Sequence, residues 1–164
     1  PSLEDEAFHQ ALTGMDAKIR KSQKVKVTTS GRHEGRVEIG FSQQLREWSD
    51  MKKINQPQLV ASAEELLSKF TYRRQLRLCW LSQANRGNFN PQELETIADK
   101  ICLNRGWLKQ EFRSSRFFGK LWEKVETRMY SSDWKQKWKH IPIMKAIEDL
   151  THYAQTVSYN EFVP

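Results

Sequence analysis

The side chains that most often carry out chemistry are few in this sequence, and they are scattered. The four histidines, His9, His33, His140 and His152, form neither an HxxxH nor an HxxE pair. Cys79 and Cys102 sit inside apolar patterns and make no CxxC, which argues against a disulfide framework and against a zinc site. The seven glycines are dispersed and no GxxxxGK occurs, so no phosphate-cradling loop is present. Neighbouring carboxylates at Asp5/Glu6, Glu64/Glu65 and Glu148/Asp149 fall on polar helix faces, where a solvated pair is the ordinary outcome. The reading is of a protein that is not an enzyme and uses neither metal nor cofactor. What remains is the chemistry of cations.

Those cations are concentrated. Lys and Arg number 27 against 20 Asp and Glu, a net charge of +7 in 164 residues. Between Arg105 and Lys139 stand ten basic and four acidic residues, so this span holds nearly the whole excess. If one helix runs over 105–120, Arg105, Lys109, Arg113, Arg116 and Lys120 fall within roughly 60–80° of arc at 100° per residue. Leu108, Phe112, Trp122 and Val125 then occupy a separate, adjoining arc. An apolar side beside a basic stripe is what a helix lying on a polyanion needs. Lysine and arginine hold phosphates, arginine pairs bidentately with guanine, and glutamine pairs with adenine. On this pattern Lys109, Arg113, Arg116 and Lys120 are candidates for phosphates, and Arg105 and Gln110 for base edges.

Two further stretches carry basic residues among other useful types. Val25 and Val27, then Val37, Ile39 and Phe41, alternate around a turn-rich segment, which predicts a β-hairpin over 24–41. Lys24, Lys26, Arg32 and Arg36 on that hairpin could lie along a phosphate backbone. Further on, Trp134 and Trp138 are four apart with lysines between them. They could stack on bases of a single strand, anchor a protein interface, or pack inside; packing is the commoner fate of such a pair.

The elements that must hold these residues read as helices. Asn90-Pro91-Gln92-Glu93 opens one, with Asn as cap and Pro at the first position. Leu94, Ile97, Ala98 and Ile101 form its apolar face, and Asn104 caps a second helix carrying Leu108 and Phe112. The spacing Leu94-x-x-Ile97-Ala98-x-x-x-Cys102-Leu103-Asn104-x-x-x-Leu108-x-x-x-Phe112 resembles the helix-turn-helix of arabinose-regulator-type transcription factors. The resemblance is confined to residues 94–112, and only one copy of the motif is found where such regulators usually carry two. It implies that the second helix enters the major groove. Cys102 stands in the turn where that pattern commonly has glycine.

Elsewhere, Phe8, Leu12, Met15 and Ile19 share one face of a first helix over 3–21. Ser62-Ala63-Glu64-Glu65 has the form of a capping box. Pro142 opens a last helix whose stripe from Ile143 to Val157 is expected in the core. The predicted fold is mainly α, a bundle of about seven helices with one hairpin, forming a single domain over 1–157 and a frayed tail over 158–164. No apolar run is long enough to span a bilayer, and the acidic start is unlike a secretory signal, so a cytoplasmic, nucleoid or nuclear place is expected, neither secreted nor membrane. The functional expectation is a nucleic-acid-binding protein, with duplex DNA favoured. The alternatives are a protein-interaction adaptor with a protein partner, and a subunit binding RNA or single strands.

Overall fold

The computed structural model describes residues 4–20, 22, 24–28, 41–84 and 90–156. The protein is mainly helical, with one small antiparallel pair of strands among the described residues. Eight helices lie among the described residues, and residues 1–58 and 59–164 form two units.

The first unit holds α1 (Glu4–Gly14) and α2 (Phe41–Lys53). α1 stops well short of residue 21. Asp16 adopts φ 55°, and the Ala17 and Asp16 amides donate to the carbonyls of Leu12 and Thr13. This is a left-handed cap of the Schellman type, for which a short polar side chain is tolerated. α2 ends in the same way at Asn55, φ 52°.

The second unit holds β1 (Leu59–Val60), α3 (Ala63–Ala84), α4 (Pro91–Lys100), α5 (Arg105–Ser114), α6 (Phe118–Met129), α7 (Trp134–Lys137), β2 (Ile141–Pro142) and α8 (Ile143–Thr156). β1 and β2 pair antiparallel, with Leu59 opposite Pro142 and Val60 opposite Ile141. This is the strand pair among the described residues, and it lies outside the 24–41 segment where the sequence predicts a hairpin. Residues 24–28 carry no strand, Phe41 already belongs to α2, and 29–40 lie outside the described residues.

The core of this unit is built by α3 to α6. Leu76, Leu94, Ile101, Leu108, Phe112, Leu121 and Val125 are essentially inaccessible. Trp134 closes the core from α7 with no exposed surface. Its ring meets Tyr72 edge-on at 6.3 Å and Trp138 at 5.7 Å. Ser62 caps α3 by accepting the Glu65 amide at 3.1 Å. The Glu65 carboxylate does not reach back to complete the box. It is buried and accepts the Trp134 indole N–H at 3.1 Å.

The structure corrects two further expectations from the sequence. The helix drawn over 105–120 is broken at residues 115–117, where Ser115 and Phe117 are extended. The cause is the phase of the apolar residues. In one unbroken helix, Phe118, Leu121, Trp122 and Val125 would point roughly 100° away from Leu108 and Phe112. The break resets the phase, so both sets reach the same core. The stripe on α8 is likewise only partly used. Ala146 is buried, whereas Met144, Ile147 and Leu150 are exposed. The tail over 158–164 lies outside the described residues.

Candidate nucleic-acid interface

Two capped helices and the turn between them place the candidate site. Asn90 accepts the Gln92 amide at 2.9 Å to start α4, with Pro91 in the first position. Asn104 accepts the Trp107 amide at 2.9 Å to start α5. Between the helices, Cys102 takes φ 58°. The Leu103 amide donates to Ala98 at 2.9 Å and the Cys102 amide to Asp99 at 3.1 Å. The chain thus reverses through a Schellman turn, with Leu103 folded into the core behind it. The position where glycine is common in the resembled motif is the one that is left-handed here, and a cysteine occupies it.

A non-glycine residue in this conformation costs about 1–2 kcal/mol. Cys102→Gly removes that cost while loosening the unfolded chain by about 0.4–1 kcal/mol. The net expectation is a gain of about 0.5–1 kcal/mol in denaturant unfolding. Cys102→Val, β-branched in the same backbone, is expected to lower stability.

α5 turns Leu108 and Phe112 inward. Gly106, Gln110 and Arg113 are exposed on it. Arg105 and Lys109 lie on the flank nearest α4, and neither is free. Arg105 donates from Nε and Nη2 to the two carboxylate oxygens of Asp99 at 2.8 and 2.6 Å. Its Nη1 lies 3.5 Å from Glu95, and Lys109 bonds to the same Glu95. Hydrogen bonding from Lys109 holds the Glu95 carboxyl below its usual pKa, and that from Arg105 does the same for Asp99. Arg105 is raised in turn by Asp99.

Depressed carboxyl values mean that this latch supports the fold above about pH 4 and is lost as pH falls through the folded values. Thermal melts of the parent and of Glu95→Gln/Asp99→Asn between neutral and acid pH check this. The parent is expected to be the more stable near neutrality, and the gap to close on acidification.

The rest of the basic set is dispersed. Arg116 is exposed in the link between α5 and α6, its guanidinium 5.3 Å from the Phe117 ring centroid. Lys120 belongs to α6 and pairs with Glu123 at 2.7 Å. The single stripe of five bases is therefore not formed: three residues lie on α5, one on the link and one on α6. Lys24 and Lys26 are exposed in the first unit. Arg32 and Arg36 lie outside the described residues.

The other flank of α5 faces a shallow groove of about 660 Å³ between α5, α6 and the 131–132 turn. Arg128 stacks over Trp107 there at 4.7 Å, and Lys124 bonds to Glu111 at 2.6 Å. Sequence reasoning missed this flank. A basic residue four after Lys124 was the available signal, and it was hidden by reading α5 and α6 as one helix.

No protein-family model, curated protein or solved structure matches this chain. Among the described residues, no three His, Cys, Asp or Glu side chains gather where a metal ion could be held, and no helix is long and apolar enough to cross a membrane. Cys79 is buried, and burial beside Glu93 pushes its thiol up to about 11, which keeps it protonated and unreactive near neutral pH.

Proposed function

We propose that the protein binds double-stranded DNA by laying the exposed face of α5 in the major groove. The observation that carries this reading is the α4–α5 pair, with both helices capped by asparagine and joined through a left-handed turn at Cys102. That construction fixes α5 on a rigid base and leaves Gly106, Gln110 and Arg113 outward. The net charge of +7 favours a polyanion, and exposed Arg116 beyond the end of α5 extends the basic surface. A small residue at the start of the helix also permits close approach of its backbone to the groove wall.

A protein partner is the second reading, favoured by Met144, Ile147 and Leu150 exposed on α8. Binding of single strands through Trp134 has no such support, since that ring has no exposed surface on which a base could stack.

Fluorescence anisotropy with a labelled duplex of mixed sequence, a single strand and a hairpin RNA tests the proposal. Duplex binding is expected to dominate and to depend steeply on salt. With about four phosphates neutralised, a fourfold rise in salt lowers affinity on the order of 100-fold. A flat dependence, or equal binding of the single strand, would overturn it.

A further inference from the structure

The four charged residues that cross from α4 to α5 divide the labour of the proposed interface. Their spacing is complementary: Glu95 and Asp99 are one turn apart on α4, and Arg105 and Lys109 are one turn apart on α5. The Arg105 guanidinium is held at both ends of its fork by Asp99, a bidentate geometry that a flexible surface pair rarely keeps. Taking the direction of Leu108 and Phe112 as inward, Arg105 and Lys109 lie only about 40–80° from it, on the side of α4. Arg113 lies roughly 120° away and Gln110 roughly 180° away. Among the described residues no carboxylate pairs with Arg113.

We propose that Glu95 and Asp99 hold Arg105 and Lys109 as positioning residues, out of contact with nucleic acid, so that Gln110 and Arg113 read the bases. This rests on the duplex-binding reading and deepens it. A cation already neutralised by a carboxylate gains little from a phosphate, because it exchanges one anion for another. What the pair does instead is fix the angle of α5 on α4. Gln110 and Arg113 are then three residues apart, about 4.5 Å along the helix, close to one base step. Glutamine matches the N6/N7 edge of adenine and arginine the O6/N7 edge of guanine. The ligand class is therefore a duplex with adenine and guanine at neighbouring base pairs.

The test uses the full chain and selection of bound duplexes from a random pool, followed by salt titrations on a selected duplex. Arg113→Ala is expected to relax one guanine position and Gln110→Ala one adjacent adenine position. Arg105→Ala/Lys109→Ala is expected to weaken binding with no change in the salt slope. If that pair instead lowers the slope by about two units, the residues are phosphate contacts and the proposal fails, while duplex binding stands. Glu95→Gln/Asp99→Asn carries the test if the alanine pair does not fold. Freeing both cations is expected to steepen the slope by about one to two units, and a parental slope overturns the proposal. Selection of no common sequence by the parent overturns the base-reading assignment. Absence of duplex binding by the parent at low salt overturns the underlying reading itself.

Discussion

Trp134→Ala is expected to cost about 3–5 kcal/mol, a large part of the stability of a domain of this size. The indole is fully enclosed, so its removal leaves a cavity rather than a newly wetted surface. It also removes the edge-on packing with Tyr72 and the packing against Trp138. The second consequence is polar. Glu65 is buried, and its Oε1 accepts the indole N–H while Oε2 has no hydrogen-bond partner among the described residues. Without the indole, a buried carboxyl group loses the one side-chain donor it has among the described residues, which adds about 1–3 kcal/mol. Trp134→Phe separates the two effects, since it keeps most of the ring and deletes the donor. Urea unfolding followed by far-ultraviolet circular dichroism measures both variants. Near-parental stability for Trp134→Ala would mean that the aromatic cluster is not part of the core.

Local signals carried over from sequence to structure better than long-range ones. Asn90-Pro91, Asn104 and Ser62 act as helix starts because a cap is decided by one side chain and an amide two or three residues away. The apolar spacing of 94–112 was legible for the same reason, and it forms the two helices that the spacing implies. The break at 115–117 was present as a phase shift between Leu108/Phe112 and Phe118/Leu121/Val125, but a continuous basic stripe masked it. The pairing of Leu59–Val60 with Ile141–Pro142 had no local signal, since two residues are too few to show a period of two. The use of α8 was equally illegible. An apolar stripe says that a face is available, not how much of it the neighbours cover, and here they cover Ala146 and leave Ile147 and Leu150 exposed. The candidate site suffered most, because ion pairing is a tertiary fact. Arg105 and Lys109 look like free cations until Glu95 and Asp99 are found opposite them.

Replacing Gln110, Arg113 and Arg116 together with alanine is expected to abolish most duplex affinity while leaving the fold intact. All three side chains are exposed. Alanine is the best helix former, so α5 is not weakened at 110 and 113. Surface changes of this kind usually move stability by less than about 0.5 kcal/mol. Removing a bidentate pairing with a base is expected to cost about 1–3 kcal/mol for each of the two readers, and removing the phosphate pairing of Arg116 costs less. Affinity should therefore fall by about 25-fold to about 20,000-fold at fixed salt, by the tenfold per 1.4 kcal/mol relation. Leu108→Ala is the reciprocal control. Leu108 sits in the core with no exposed surface, so its truncation is expected to lower stability by about 2–5 kcal/mol through a cavity. Any weakening of binding in that variant should then follow the unfolded fraction rather than precede it. The two variants thus separate groove-facing side chains from scaffold, by comparing anisotropy titrations with thermal melts of the same preparations. A folded triple variant that binds duplex like the parent would remove α5 from the interface and leave the exposed apolar side of α8 as the surface to probe with protein partners.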